Sequence, residues 1–283
     1  MKLFNHFKKA GLIAVLGIGA APGITNVLSR YAYDQLDQVK VVDISFGAED
    51  MTDRSGIDAF VPPYSIATIM EEFSYQPVEF IDGEYRTFRP FSGAKEIIFP
   101  EPIGRRTCVY TLHSEPATIP NSFKDKGVRQ ATWRLGLPPE FEEKIKLLIL
   151  AGLARDDPVK VQGVEVARKE VLAEVIEKNY KEKLKGVNLK LNEVACIRSQ
   201  VTGEKEGGKL EYTVDCIIRT HSRGTSYIVN ATGVPASIVA QMQAKGMIKE
   251  PGVWGPEKVI DPEYFFKELA RREMQVRVTI KKI

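Results

Sequence analysis

His113 is the residue best suited to proton transfer, because of its side chain and its neighbours. Thr111 precedes it, and Ser114 and Glu115 follow it at the end of an apolar run. An imidazole titrates near neutral pH and can exchange a proton with an amine or a carbinolamine, while Glu115 can orient the ring or bind an ammonium group. The alternative is a histidine that only stabilises a strand end through hydrogen bonds. His113 and Glu115 are therefore the candidate catalytic residues.

A glycine-rich turn is the second candidate site. The segment Gly17–Gly23 contains three glycines, follows the apolar run 12–16 and precedes a helical pattern. A strand, a glycine turn and a helix form the usual context of a dinucleotide fingerprint, and Asp43 stands about twenty residues further on, where an acid can hold a ribose hydroxyl. However, Pro22 occupies the position of the third glycine. A turn that only needs glycine torsion angles is the alternative.

Hydroxyl and amide side chains at two predicted helix starts form a third group of candidates. Thr25 and Asn26 follow the glycine turn, and Tyr64, Ser65 and Thr68 follow a pair of prolines. Such side chains can bind polar groups of a ligand, and a helix N-terminus favours negative charge. They can equally satisfy the free backbone N–H groups of the first helical turn. The sequence leaves both roles open.

Hydrophobic periodicity predicts the elements that must position these residues. Residues 1–47 read as a strand, a helix and a strand, which predicts one β-α-β unit with a right-handed connection. The rest of the chain indicates an α+β unit with a mixed or antiparallel sheet. The predicted strands are 12–16, 39–46, 78–81, 85–88, 96–99, 108–112, 128–135, 194–201, 210–220 and 274–280, and the predicted helices are 23–31, 64–73, 140–153, 166–184, 235–245 and 262–272.

Composition and charge restrict the classes of protein to which the chain can belong. Its 283 residues are 43% hydrophobic and carry a net charge of +3 with acids and bases interspersed, so neither a nucleic-acid partner nor a membrane span is expected. The three cysteines lack metal or disulfide spacing, which predicts buried free thiols, no metal site and a cytoplasmic location. Lysines before the run 12–21 also fit a signal peptide, which is the alternative to a buried strand there.

Four stretches of the chain resemble the saccharopine dehydrogenase-like family, of the lysine 6-dehydrogenase and saccharopine reductase types. Gly19–Asn26 (GAAPGITN) resembles the turn after the last strands of the family's nucleotide domain. Tyr110–Glu115 (YTLHSE) resembles a strand end, and Asn230–Ala236 (NATGVPA) resembles a turn before a helix. Gly252–Glu257 with Asp261–Phe266 resembles the C-terminal signature. The likeness covers nearly the whole chain.

The resemblance implies an activity, a cofactor and a site. The activity is hydride transfer between the nicotinamide of NAD or NADP and a C–N centre of the substrate. The chain would be the C-terminal substrate-binding and dimerisation half, with the main cofactor-binding segment absent from it. The residues expected near the nicotinamide are Gly19, Ala20, Ala21, Pro22 and Gly23, and those expected to bind a small amino acid or amine are Thr25, Asn26, Tyr64, Ser65, Thr68 and Ser114.

The chain also departs from the family. The first β-α-β units are missing, and Ala21 replaces an acidic residue of the family turn. The arginines that clamp saccharopine carboxylates correspond to Ile66 and Ser114, so a lysine-like amino acid or a polyamine precursor is expected rather than a tricarboxylate. The arginines that could still serve one carboxylate, or that could be solvated strand-face charges, are Arg106, Arg129 and Arg134.

The expected architecture is thus α/β plus α+β. A Rossmann-type remnant over residues 1–47, joined by 256–283, precedes a substrate and dimerisation domain over 48–255. Strands with exposed faces favour a sheet-mediated homodimer, and a separate nucleotide-binding polypeptide is a second expected partner. The alternative function is a non-catalytic binding or assembly module of the same fold.

Overall fold

The structure is a computed structural model that describes residues 3–283. Its strands, numbered in chain order, are β1 (Ile13–Val15), β2 (Gln38–Asp50), β3 (Val78–Ile81), β4 (Glu84–Thr87), β5 (Lys95–Ile98), β6 (Arg105–Cys108), β7 (Gln130–Gly136), β8 (Val159–Val161), β9 (Val164–Val166), β10 (Glu193–Lys205), β11 (Gly208–Arg219), β12 (Gly252–Trp254) and β13 (Gln275–Lys282). Its helices are α1 (Phe4–Lys9), α2 (Ile24–Gln35), α3 (Ile66–Ser74), α4 (Glu115–Ser122), α5 (Pro139–Leu150), α6 (Arg168–Leu184), α7 (Tyr227–Ala244), α8 (Pro256–Val259) and α9 (Pro262–Ala270), with a 3-10 turn at Lys124–Lys126.

Seven strands form one mixed sheet in the order β13-β11-β10-β2-β7-β3-β4. Only β2 and β7 are parallel neighbours, and all other neighbours in this sheet run antiparallel. The predicted mixed sheet is therefore confirmed. The predicted hairpin around 203–208 is also confirmed, and its two strands pair along their whole length from Val194 with Arg219 to Lys205 with Gly208.

The predicted β-α-β unit at the N-terminus is wrong. β1 pairs in parallel with β12 in a separate two-stranded sheet, whereas β2 lies in the middle of the seven-stranded sheet. Two strands in different sheets cannot flank a crossover, and α2 packs against β10 and β11 instead. β2 also runs through residue 47, where a boundary between two units is expected from the sequence; that division stays a prediction.

Two helices differ from the sequence-based prediction. α7 begins at Tyr227, so the segment Asn230–Ala236 lies inside a helix and not in a turn before one, and Pro235 is an interior residue. Ser226 caps this helix, since its hydroxyl accepts from the backbone N–H of Ile228 at 3.4 Å. α4 was not predicted, and it directly follows His113 and Ser114. As a result, the candidate histidine lies at a helix start rather than at a strand end.

The core lies on both faces of β10, as the two-residue period of a strand requires. Ala195 and Ile197 face the main core, which α2 and the other helices cover, while Val194 and Cys196 face a smaller cluster under the β5–β6 hairpin. All three cysteines are buried free thiols, as predicted. Between residues 3 and 283, no helix combines the length and the apolar character that a bilayer span needs.

Candidate active site

A cavity of about 370 Å³ lies where the glycine turn, α3, β7 and α7 meet. His113, the glycine turn and two residues of the third group, Tyr64 and Thr68, all line it, so members of all three groups of candidates come together. The residues that line it are Gly17, Ile18, Gly19, Ala20, Ala21, Pro22, Phe46, Tyr64, Thr68, Glu72, His113, Trp133, Leu135, Ile228 and Thr232. Most are apolar, with a few polar side chains among them, as in most small-molecule sites.

The glycine turn forms one wall of the cavity with its main chain. The Gly19 N–H donates to the Pro22 carbonyl at 2.8 Å, and the Ile24 N–H donates to the Gly19 carbonyl at 2.9 Å. Gly23 has φ of 135°, and a Cβ there would lie 2.2 Å from the Gly19 oxygen, so only glycine fits. Of the five predicted cofactor residues, the four from Gly19 to Pro22 line the cavity, and Gly23 lies beneath them at the N-cap of α2.

His113 also lines the cavity, and it is held between two carboxylates and an indole ring. Its Nδ1 is 2.7 Å from Oε2 of Glu115, and its Nε2 is 3.7 Å from Oε1 of Glu72. The imidazole stacks on Trp133, with ring centroids 4.0 Å apart and 21° between the planes. Thr111 fixes that indole, because its hydroxyl accepts from Nε1 of Trp133 at 2.9 Å. The ring of His113 is thus fixed in orientation by three neighbours.

The two carboxylates decide the charge of His113. Burial by itself lowers the pKa of the imidazole, but the charge of Glu115 and its hydrogen bond, together with Glu72, outweigh burial and raise the pKa to about 10. His113 is therefore an imidazolium at neutral pH, with one proton directed at Glu115 and the other on the side of Glu72 and the cavity.

Glu115 has no solvent exposure and is the first residue of α4. Besides His113, it is hydrogen-bonded by Thr25, whose hydroxyl donates to Oε1 at 3.0 Å. A carboxylate at a helix N-terminus is stabilised by the helix dipole, which explains why a buried acid is tolerated here. The predicted pairing of His113 with Glu115 is thus present as a direct contact.

Thr25 and Asn26 lie behind the cavity and do not face it, in contrast to the predicted role in substrate binding. Both are completely buried. Asn26 accepts from the Gly23 N–H at 3.0 Å and donates to Oε2 of Glu257 at 2.8 Å. Glu257 also accepts from Ser122 at 2.6 Å. These residues hydrogen-bond at the start of α2 and contact Glu115, an arrangement that matches the alternative of helix-start hydrogen bonding.

Glu72 is a site residue that the sequence reasoning missed. It lies on α3, and its Oε2 accepts from the Tyr64 hydroxyl at 2.5 Å. Burial and the neighbouring carboxylate of Glu72 raise the pKa of Tyr64 well above its ordinary value, so the phenol stays protonated. Glu72 lies four residues after Thr68, which also lines the cavity, and this helical spacing was the signal that could have found it.

Two further predicted substrate residues, besides Thr25 and Asn26, lie outside the cavity. Ser65 is the N-cap of α3, and its hydroxyl accepts from the Thr68 N–H at 3.4 Å. Ser114 is exposed and precedes α4. Tyr64 and Thr68 do line the cavity. The structure therefore brings together two of the three residues that begin α3 and leaves Ser65 in its capping role.

Asp43 and Arg134 belong to a buried network of charged and polar side chains that does not line the cavity. Nη1 of Arg134 lies 2.5 Å from Oδ1 of Asp43, and its Nη2 donates to the Tyr110 hydroxyl at 2.7 Å. Lys95 contacts the other oxygen of Asp43 at 2.5 Å. Asp43 is thus engaged within the protein, so the alternative in which it holds a ribose is wrong, and Arg134 is not a solvated charge.

Glu79 is a second buried carboxyl near the site. Its Oε2 accepts from the backbone N–H of Trp133 at 2.9 Å. Burial raises the pKa of Glu79 to about 8, although this hydrogen bond and the charge of Arg134 act in the opposite direction. Glu79 therefore holds the main chain of Trp133, the residue whose indole stacks on His113.

These features agree with what comparison with known proteins finds. The family described as saccharopine dehydrogenase C-terminal domain matches residues 19–274. The chain belongs to this family. It is 26% identical to carboxyaminopropylagmatine dehydrogenase from Synechocystis over 278 residues, which are 94% of this chain and 65% of the relative. It is 24% identical to carboxynorspermidine synthase from Vibrio cholerae over 276 residues, which are 94% and 62% of the two chains.

A solved structure shows the same fold. Apo histidine-tagged saccharopine dehydrogenase (L-Glu forming) from Saccharomyces cerevisiae aligns with a TM-score of 0.69 at 14% identity, covering 99% of this chain and 76% of that one. The chain spans less than two thirds of the length of the two curated relatives. The resemblance seen in the turn, the histidine segment and the C-terminal segment is thus confirmed at the level of family and fold.

Proposed function

We propose that this chain is the substrate-binding half of an NAD(P)-dependent oxidoreductase that acts on a C–N bond of an amine. One observation carries the proposal. A cavity lined by the main chain of the glycine turn is also lined by an imidazolium and a carboxylate, His113 and Glu72. A redox centre for amines needs these parts: a place for the nicotinamide, a group that exchanges a proton with nitrogen, and an anion for the ammonium group.

The turn fits the nicotinamide end of the cofactor. From Gly19 to Pro22 only backbone and small apolar side chains line the cavity, so a flat ring can approach the main chain closely. When bound, the nicotinamide supplies or accepts the hydride. The family likeness supports NAD or NADP as the cofactor, and the remaining contacts to it would come from a nucleotide-binding segment, which can be a separate polypeptide.

His113 would move the proton. Glu115 holds one ring nitrogen, so the proton on Nε2 is the one available to the cavity. A substrate cation near Glu72 would compete with the imidazolium for that carboxylate and lower the pKa of His113 toward neutrality. The imidazolium would then give its proton to the departing oxygen or nitrogen, and in the reverse direction the neutral ring would take a proton from the attacking water or amine.

The charges in the cavity favour an amine over a polycarboxylate. Among the described residues that line it, Glu72 and His113 are the charged ones, and no lysine or arginine is present. Ile66, at a position where an arginine was expected for a saccharopine-type substrate, is completely buried. The names of the two curated relatives denote carboxylated forms of agmatine and norspermidine, which supports a polyamine precursor above a lysine-like amino acid.

A homodimer and a cytoplasmic location are part of the same proposal. β13 is an edge strand of the large sheet, and Val278 and Ile280 on it are exposed, which supports pairing with a second copy. The three buried free thiols fit a reducing compartment. Light scattering that gives the mass of a monomer would contradict the dimer.

Binding of amines by the purified chain tests the proposal. We expect 1,4-diaminobutane to bind in calorimetry and glutarate not to bind. Glu72→Gln should weaken the amine at least about tenfold, because it removes a partly buried charge partner. Glu71→Gln is the matched control, since Glu71 lies next in sequence, pairs with Lys169 and does not line the cavity. Preferred binding of glutarate, or unchanged amine binding by Glu72→Gln, would overturn the assignment.

Turnover is tested with the whole protein encoded by its gene. Amine-dependent change in the absorbance of NAD(P)H should be present in the natural protein and lost in His113→Gln, while Glu71→Gln keeps it. Absence of such turnover with intact amine binding would leave the chain as a non-catalytic binding module.

A further inference from the structure

A second cavity of about 580 Å³ adjoins the first. Tyr64, Ile228 and Thr232 line both cavities, so the two cavities meet at these side chains. The remaining lining residues of the second cavity come from the loop before α3, from the start of α3, from α6 and from α7: Pro62, Pro63, Ser65, Ile66, Glu177, Tyr180, Val229 and Gly233. The two neighbouring cavities, called the cleft below, together reach from His113 to α6.

The far end of this cleft holds one anion and one aromatic ring. Glu177 is the charged residue among the described residues that line the second cavity, and Tyr180 lies one helical turn after it on α6. The other lining residues are apolar or uncharged. A carboxylate beside a phenol ring in an otherwise apolar cleft suits the end group of a flexible cation, because the ring adds a cation–π contact to the charge.

We infer that Glu177 and Tyr180 form a distal subsite for a second cationic group of an extended linear amine whose reacting nitrogen lies near Glu72 and His113. This inference rests on the proposed function and adds the length of the substrate to it. The apolar stretch between the two carboxylates, lined by Tyr64, Ile228 and Thr232 where the cavities join, would hold the methylene chain.

Glu177 is available to such a ligand although it has a partner in the protein. Its Oε2 lies 2.8 Å from Nζ of Lys181 one turn along α6, and the two side chains are 38% and 64% exposed. An exposed pair of this kind contributes little to stability, so a ligand ammonium can replace the lysine. Removing Lys181 should therefore keep or increase the affinity for a long amine, whereas removing Glu177 should lower it.

Gly233 offers a way to fill the distal cavity without disturbing the proximal one. It lies on α7 and lines the second cavity but not the first. A Cβ added at this position meets nothing within 4 Å. A leucine at this helical position is compatible with the backbone and would extend into the open space. Gly233→Leu should then block long amines and leave short ones unaffected.

Calorimetry with a long and a short amine tests the subsite. The probes are norspermidine, which has three amino groups, and 1,4-diaminobutane. We expect Glu177→Gln to weaken norspermidine about fivefold and to leave the diamine unchanged, since a partly exposed charge contact contributes about this much. Glu174→Gln, one turn earlier on α6 and outside the second cavity, is the matched control. Lys181→Gln should not weaken norspermidine, and Gly233→Leu should weaken it selectively.

The outcomes separate this inference from the function on which it rests. If the diamine binds in a manner that depends on Glu72, but Glu177→Gln and Gly233→Leu leave norspermidine unchanged or weaken both amines equally, the distal subsite is wrong and the proposed function stands. If neither amine binds the unmodified chain, both fail. A circular dichroism melting curve for each variant shows that the fold is retained.

Discussion

Glu115→Gln removes the negative charge beside His113 while it keeps the size of the side chain. The side chain lies 3.0 Å from the Thr25 hydroxyl and 2.7 Å from Nδ1 of His113, and a glutamine amide can hydrogen-bond to both in either orientation, because the hydroxyl can donate or accept. In both orientations the negative charge that favours the imidazolium is absent. The substitution therefore acts on the protonation of the histidine.

The size of the effect follows from the pKa of His113. Its rise from 6.5 to about 10 corresponds to roughly 5 kcal/mol of preference for the imidazolium in the folded protein. Glu115 is the nearer carboxylate, at 2.7 Å against 3.7 Å for Glu72. We therefore expect the pKa of His113 to fall by at least about 2 in Glu115→Gln.

The same shift makes the stability of the natural protein depend on pH. Because the folded-state pKa of His113 lies above the unfolded value, its contribution is complete below pH 6.5 and is lost as pH rises toward about 10. In Glu115→Gln this loss is smaller. The difference in free energy of unfolding between the two proteins should be roughly 3 kcal/mol near pH 7 and should shrink as pH approaches 10.

Two measurements check this reasoning. Carbon–proton NMR of the histidine rings gives the pKa of His113, which His113→Gln assigns among the three histidines. Urea unfolding at several pH values gives the free energies. Glu257→Gln is the control, because it makes the same change in another buried carboxylate that does not touch His113. A pKa in Glu115→Gln within about half a unit of the natural one, or a natural protein whose stability does not fall between pH 7 and 10, would refute the argument.

Two further substitutions give distinct expectations. Gly23→Ala should destabilise the chain by about 3 kcal/mol or more and prevent amine binding, because its Cβ would lie 2.2 Å from the Gly19 oxygen. Thermal melting measures the loss of stability. A variant as stable as the natural protein would show that the turn can relax. Glu79→Gln should be more stable than the natural protein at pH 9 and nearly equal to it at pH 4.5. Burial raises the pKa of Glu79 to about 8, so the stability that its neutral form contributes is lost as pH rises through that value. Equal stability of the two proteins at both pH values would contradict this.

The strands of the large sheet could be predicted from the sequence, but the partners of some could not. β10 and β11 surround a polar turn, so their pairing is local and their alternation defines the faces. β1 is an apolar run of the same appearance as a strand in a parallel sheet, yet its partner β12 is more than two hundred residues away. Periodicity contains no information about such a partner, and the assumed pairing with β2 was therefore wrong.

Proline was the main source of error in the helices. The sequence predicts a helix that starts at Pro235, and proline is favoured in the first turn of a helix. The structure places it inside α7, whose buried face consists of Tyr227, Ala231, Pro235, Ile238, Val239 and Met242. The spacing of these residues and the cap at Ser226 were visible in the sequence. Packing of this apolar face outweighs the backbone hydrogen bond that the proline cannot make.

In the candidate site, the turn and the histidine could be predicted from the sequence. Which way the neighbouring side chains point could not. Thr25 follows Gly23 by two residues, yet α2 turns its side chain toward Glu115 instead of toward the cavity. Glu72 faces His113 from a helix some forty residues earlier in the chain. Whether a polar side chain faces a ligand or the protein depends on how helices pack together. A single sequence indicates the direction of a side chain only where the spacing of residues along one helix places them on the same face.

The bond between Asn26 and Glu257 has a consequence for the order in which the protein is made. Asn26 donates to Glu257 at 2.8 Å, and Arg30 donates to the carbonyl of the same residue at 2.8 Å. A nascent chain emerging from the ribosome must therefore wait for residue 257 before the helix that carries Thr25 finds its final partners. The hydrogen bonds that hold α2 behind the acid–base cluster are thus completed only after residue 257 has left the ribosome.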